Sequence, residues 1–282
     1  MRYRIGLYEK AMPNRLSLEE KLSCAKQAGF DFVELSIDET DEKLARLDWT
    51  ETECREISGV IAQAGIPIGS ICLSGHRKYP LGSTVPGVRE KSIEILRKAI
   101  LLASRLGVRV IQLAGYDVYY EPGTQRTRED FLQNLKRCAE IAACYGVMMG
   151  FETMETPFMD TVEKAMLYVR QVDSPYLGVY PDLGNLTNAA ALYDISVLQD
   201  LKTGRGHLLA MHLKETVPGR YRDMRFGEGQ VDFISGIRAA RALGVRLFVT
   251  EAWDRGGNDW REQIDRIHAF ARGALDSVFC QE

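Results

Sequence analysis

Four side chains carry the first hint of chemistry in this chain. Glu152 closes the apolar run VMMGFE, Asp182 closes LGVYPD, His212 closes LLAMH and Glu251 closes LFVTE. Each is an ionisable group at the end of a stretch that reads as a buried strand. Such groups are costly to bury unless they are paired or ligated. Three carboxylates and one imidazole form a donor set for a divalent ion, Zn²⁺ or Mn²⁺ ahead of Co²⁺ or Mg²⁺. A structural zinc site would favour cysteines and a closed shell of four ligands, so a carboxylate-rich set points to a catalytic ion. A single acid at a strand end is usually a helix cap or an ion-pair partner. Four of them closing successive strands at matching depth call for a common cause. In HLLAMHLKET, the alternation of side chains along a strand favours His212 over His207, which sits at the opposite phase. The same parity puts Gly150, Tyr180, Ala210 and Val249 on the faces that carry the four.

These runs belong to a repeating pattern. An amphipathic stretch ends in glycine and an apolar run follows at once, as in KQAGFDFVEL, AQAGIPIGSICL, SRLGVRVIQLAG, ACYGVMMGFE and RALGVRLFVTEAW. Glycine past a helix end supplies the left-handed cap that turns the chain. Short runs rich in Val, Ile, Leu and Phe read as parallel strands buried on both faces. Strands are expected at about 3–8, 31–36, 67–73, 108–114, 147–152, 177–182, 207–213 and 246–252. Helices are expected near 17–28, 50–64, 88–106, 127–145, 160–172, 192–203, 231–243 and 258–275, with Ser17, Thr127, Asp160 and Asp194 as N-caps. Eight βα units in a chain of 282 residues predict a single-domain (β/α)8 TIM barrel over residues 1–282. A doubly wound open sheet ranks second, because GLYEKAMPN after the first strand is no phosphate-binding glycine loop. In a TIM barrel the active site lies at the C-terminal ends of the strands, where the four ionisable residues fall.

Composition narrows the classes. Hydrophobic residues make up 45% and charged residues 27%, and 36 basic against 39 acidic side chains leave a net charge of −3. A nucleic-acid binder would carry a basic excess. No apolar run reaches the length of a membrane helix, and MRYRIGLYEK lacks the core of a signal peptide. The six cysteines form no C-x-x-C pair. A reducing cytoplasm is the expected setting.

The stretches IGLYEKAMP, GFDFVELSIDETDEKLARLDW, CLSGHRKYPLGS, VIQLAGYDVYY, YPDLGNL and FGEGQVDF, together with the strand-end residues, resemble the xylose isomerase-like barrels. Within that superfamily they resemble the L-xylulose (or L-ribulose) 5-phosphate 3-epimerases of ascorbate and pentose catabolism. The resemblance implies an isomerase that epimerises a ketopentose 5-phosphate, L-xylulose 5-phosphate to L-ribulose 5-phosphate first among candidates. It implies removal and return of a proton at C3 through an enediolate stabilised by the divalent ion. Glu152 and Glu251 are then the base and acid and also metal ligands, with Asp182 and His212 completing the set. The family is often dimeric, and the expected partner is a small sugar phosphate.

Six further residues are candidates for holding the substrate. Glu155 is placed to bind a sugar hydroxyl or orient Glu152, or is a solvated loop acid. Asn185 bonds a hydroxyl or caps a helix. Lys214 shares the phase of His212, and its charge would offset the excess of carboxylate over a divalent ion. His76 and Arg77 in SGHRKYPLGS, and Arg222 in GRYRDMRFGEG, are candidate phosphate receptors, arginine being suited to phosphate by its planar fork. Tyr116, Tyr119 and Tyr120 wall a pocket or simply pack their loop. His268 suits helix packing, and His207 the bottom of the barrel. Competing activities are an aldose–ketose isomerase of the same superfamily and a non-catalytic sugar-phosphate-binding barrel. A nuclease of this barrel type would need more than the four histidines present.

Overall fold

The computed structural model describes residues 3–280. Its eight strands are β1 (Arg4–Tyr8), β2 (Phe32–Ile37), β3 (Ile68–Leu73), β4 (Val110–Ala114), β5 (Met148–Glu152), β6 (Leu177–Tyr180), β7 (Met211–Leu213) and β8 (Leu247–Thr250). They form one parallel sheet in the order β6-β5-β4-β3-β2-β1-β8-β7. Two isolated parallel bridges, Val179 to Leu208 and Asp182 to His212, join its outer strands and close the barrel. The expected TIM barrel is present.

Among the described residues, ten α-helices lie between and after the strands: α1 (Leu18–Gln27), α2 (Asp41–Ala45), α3 (Glu51–Ala64), α4 (Pro86–Arg105), α5 (Gln125–Tyr145), α6 (Val162–Val172), α7 (Leu183–Tyr193), α8 (Val197–Thr203), α9 (Phe233–Ala242) and α10 (Trp260–Phe279). Local chemistry starts and stops them. Ser17 and Glu20 form a capping box on α1, as do Thr50 and Glu53 on α3. Helix α5 ends at Gly146 with φ 63°, a conformation that glycine adopts without a Cβ penalty. Three expected caps shift. Thr124 caps α5 and Thr127 answers it from inside the helix, while Thr161 rather than Asp160 caps α6. Asp194 ends α7 with φ 52°, and Ser196 caps α8. The helix expected at 192–203 is thus two helices broken at Asp194.

The floor of the barrel is apolar. Phe32, Cys72, Val110, Tyr180, Ala210 and Val249 pack together inside it. Phe32 lies across the strands so closely that a Cβ on Gly6 or on Gly69 would fall 2.3 Å from its ring. Both positions therefore require glycine. The outer core, between sheet and helices, holds residues such as Leu35, Ile71, Ile111 and Phe151, all fully buried.

A buried ion network ties the loops after β1 and β2 to α1. Glu9 is inaccessible to solvent and receives Lys21 at 2.9 Å, Lys43 at 2.8 Å and the Arg46 guanidinium at 2.6 and 2.8 Å. Burial alone would raise the Glu9 pKa, but the Arg46, Lys21 and Lys43 charges hold it well below the usual carboxylate range. All six cysteines are free. Among the described residues, no helix is long and apolar enough to cross a membrane.

Candidate active site

The four strand-end residues meet at one point. One ligand-competent atom from each of Glu152, Asp182, His212 and Glu251 lies within 4.8 Å of all the others, and all four residues are buried. Backbone register sets the meeting. Glu152 pairs with Tyr180 across β5 and β6, Asp182 bridges His212 across the seam, and the Glu251 N–H donates to the Leu213 carbonyl at 2.9 Å. Parallel strands that end level thus deliver four side chains to one depth.

The bonding around the cluster is uneven. Gln112 on β4 donates its amide N–H to Glu152 Oε2. The Asn185 N–H donates to Asp182 Oδ1 at 2.6 Å, so Asp182 is also the N-cap of α7. His212 Nε2 lies 2.7 Å from Glu34 Oε1. The other polar atoms, Glu152 Oε1, Asp182 Oδ2, His212 Nδ1 and Glu251 Oε2, are buried and make no hydrogen bond. Buried polar atoms are seldom left so. Four such atoms facing one another, all electron-pair donors or readily made so, form a set that fits a divalent cation.

Lys214 stands beside them, 5% exposed. Its Nζ is 2.9 Å from Glu251 Oε2 and 3.2 Å from Asp182 Oδ2, close enough for ion pairs but off the hydrogen-bonding directions. Burial would lower the Lys214 pKa, but Asp182, Glu251 and Glu152 together raise it, so the side chain is a firm cation. Burial and the Glu251 charge raise the Glu152 pKa. Burial would raise Glu251 as well, but Lys214 and His212 hold it well below the usual range. Burial would lower His212, but the Glu34 and Glu251 charges carry it well above the ordinary imidazole value. The cluster thus sets three carboxyl groups against the His212 and Lys214 side chains at close range.

A cavity of about 190 Å³ opens beside Glu251 and Lys214, walled by Trp253, Met224, Phe226 and Arg222. The Arg222 guanidinium lies over the Trp253 ring at 5.2 Å. In the loops after β3, β4 and β5, Glu155 accepts bonds from Tyr116 at 2.7 Å and Tyr119 at 3.3 Å. Arg77 packs over those two rings, and its Nε is buried without a partner. Tyr120 reaches away to Glu39.

Some candidates face elsewhere. His76 is 3% exposed and bonds the Ser92 carbonyl at 3.1 Å, and burial pushes its pKa down to about 4. Its ring is neutral at neutral pH and belongs to the packing under α4, so it carries no charge for a phosphate. The Asn185 side chain donates to the Thr153 carbonyl at 2.7 Å and does not cap α7, a role that Asp182 fills. His207 is exposed and His268 packs against Phe30. Two residues at the site were missed from sequence, Glu34 and Gln112, both inaccessible to solvent. Their signal was a polar side chain in the middle of an apolar strand, FVELSI and VIQLA, rather than at its end.

Comparison with known proteins fits this geometry. Residues 22–272 match the model of the xylose isomerase-like TIM barrel family. The chain belongs to that family. It is 41% identical over 272 residues to L-ribulose-5-phosphate 3-epimerase UlaE of Escherichia coli O139:H28 (strain E24377A / ETEC), covering 96% of this chain and 94% of the relative. The enzyme of that name from Shigella boydii serotype 18 (strain CDC 3083-94 / BS512) is equally similar, with the same identity and coverage. Among solved structures, an L-ribulose 3-epimerase superposes with a TM-score of 0.79 at 19% identity, covering 98% of this chain and 95% of that one. A D-allulose 3-epimerase from Methylomonas sp. gives 0.78 at 18%, covering 97% and 98%. The structural likenesses speak for the fold. The sequence identity makes this chain an isomerase, a sugar epimerase.

Proposed function

We propose that this family member is a divalent-metal-dependent 3-epimerase of a ketopentose 5-phosphate that interconverts L-xylulose 5-phosphate and L-ribulose 5-phosphate. The observation that carries the reading is the convergence of four buried, unbonded donor atoms at the barrel mouth. The choice of substrate is supported by the relatives that share 41% of its residues. A divalent ion held by Glu152, Asp182, His212 and Glu251 supplies Lewis-acid stabilisation for the negative charge that develops beside a ketone when C3 loses its proton.

The chain's own residues do the rest. Glu152 comes from β5 and Glu251 follows β8, with Asp182 and His212 between them on the wall. One glutamate removes the C3 proton from one face of the sugar and the other returns a proton to the opposite face. The roles exchange in the reverse direction. Gln112 fixes the rotation of Glu152 through Oε2. Lys214, beside Glu251, offsets the surplus carboxylate charge. Trp253 and Phe226 give the Glu251 side of the cavity an aromatic wall. Glu155, held by Tyr116 and Tyr119, is set to accept bonds from sugar hydroxyls. Arg222 in the cavity wall and Arg77, with its unbonded Nε, are the cations assigned to the phosphate.

The test is NMR of the protein with L-xylulose 5-phosphate in D₂O, with Mn²⁺ or Zn²⁺ and with EDTA. Metal-dependent formation of L-ribulose 5-phosphate bearing deuterium at C3 is expected. An aldose product with deuterium at C1 would replace the epimerase reading with the isomerase. No metal-dependent change in either ketose phosphate would refute the substrate assignment.

A further inference from the structure

Glu34 is the most unusual residue in the barrel that the reaction does not use. It lies in the middle of β2, inaccessible to solvent, against the side of the His212 ring opposite the four donor atoms. A carboxylate at that depth is expensive unless donors surround it. Donors do surround it, and each comes from a different strand. Ser70 on β3 donates to Oε2 at 2.6 Å and Tyr180 on β6 donates to the same oxygen at 2.9 Å. Nε2 of His212 on β7 meets Oε1 at 2.7 Å.

This last contact fixes the histidine. With Glu34 ionised, a lone pair on Nε2 would face a carboxylate oxygen, so Nε2 carries the proton and donates it. Nδ1 is then the atom turned toward Glu152 Oε1 at 3.5 Å and Glu251 Oε2 at 3.4 Å. The same division recurs on the neighbours. Gln112 occupies Glu152 Oε2, and the Asn185 N–H occupies Asp182 Oδ1, each leaving the second atom free for the cluster. Stability alone gives no reason to place a fourth buried acid near three others. A neutral glutamine could bond Ser70 and Tyr180 with the hydroxyls reversed and still accept from His212, so what the glutamate adds is its charge on the far side of the imidazole.

We infer that Glu34 is a positioning residue for the metal centre, taking the Nε2 proton of His212 so that Nδ1 is held, oriented and made more basic as a ligand. The inference rests on the metal site proposed above. Carboxylate partners of ligating histidines commonly govern metal affinity in this way. Tyr180 and Ser70 act one step further out, by fixing the carboxylate that fixes the ring.

The test measures metal binding rather than turnover. Zn²⁺ and Mn²⁺ affinities of the unaltered protein, Glu34→Gln and Tyr180→Phe are determined by chelator competition, with melting of the metal-free forms as the check on folding. The visible spectrum of the Co²⁺ form reads the ligand field. Glu34→Gln is expected to bind about 10- to 100-fold more weakly, with an altered Co²⁺ spectrum. Tyr180→Phe is expected to weaken binding by less. Folded Glu34→Gln with unchanged affinity and spectrum overturns the inference. Should Glu34→Gln fail to fold, an unchanged affinity and spectrum in Tyr180→Phe overturns it instead. Failure of the unaltered protein to bind Zn²⁺ or Mn²⁺ sinks the metal site itself, an outcome visible before any variant is made.

Discussion

His76 offers a sharp test of how the loop after β3 is built. Its imidazole is buried and bonded to the Ser92 carbonyl, and burial pushes its pKa down to about 4. In the unfolded chain the ring titrates near 6.5. The folded value is the lower one, so the stability gained by keeping the ring neutral is full above the unfolded pKa. It is lost as the pH falls through the folded pKa. Linkage between the two values gives a loss of about 2 kcal/mol at about pH 5 and about 3 kcal/mol at about pH 4. For a chain of this size the pH 5 loss lowers Tm by roughly 4–8 °C. His76→Phe removes the titrating group and leaves the Ser92 carbonyl unbonded, a pH-independent penalty of about 1–3 kcal/mol. The gap in unfolding free energy between the two proteins is therefore expected to narrow by about 2 kcal/mol between neutral pH and about pH 5. Urea unfolding at both pH values measures the gap. The Cε1–H proton of His76, one of only four such signals, reports the pKa directly. Parallel stability profiles, or a His76 midpoint at the ordinary imidazole value, would refute the reasoning and return His76 to the charged receptors of the phosphate.

Two further predictions concern the cluster. Glu152→Gln and Glu251→Gln are each expected to lower kcat by at least about 100-fold while the protein still binds metal, as proton transfer from a placed side chain commonly contributes that much. Near-normal turnover with metal bound would remove the acid and base roles. Lys214→Met strips the cation from Glu251 and Asp182 and is expected to destabilise the metal-free protein by about 3–5 kcal/mol, with part of the loss recovered on adding Zn²⁺. Calorimetry in EDTA and in Zn²⁺ measures both effects, and an unchanged Tm in EDTA contradicts the ion pairing described here.

The barrel was legible because its grammar is local. Glycine at a helix end followed by a short apolar run marks β2, β3, β4, β5 and β8, and the apolar runs alone mark β1, β6 and β7. Helix α7 escaped because nothing separates it from β6. Asp182 ends the strand region and caps the helix at once, and LGNLTNAAALY has too many Gly, Asn and Thr residues to announce a helix. The four cluster residues were legible because four successive apolar runs end in them, a recurrence that a helix cap or an ion pair at any one strand does not explain. Glu34 was not, because attention to strand ends passes over a strand's middle. The argument that singled out His212 applies with equal force to FVELSI, where one acid interrupts a run buried at all six positions. His76 misled because SGHRKYPLGS looks basic as a string, while burial separates its histidine from its arginine.

The barrel's seam carries a mechanical consequence. Seven of the junctions between neighbouring strands are continuous ladders, one of them with a register shift between Val33 and Glu34, and the eighth is two isolated bridges. One of those bridges joins Asp182 to His212, through the His212 N–H on the Pro181 carbonyl at 2.9 Å. The least-stitched edge of the cask is therefore laced at its rim by two of the four cluster residues. Whatever grips both side chains also grips both staves, and its binding energy is spent on holding the hoop closed. Conversely, parting the seam moves the Asp182 and His212 side chains away from each other.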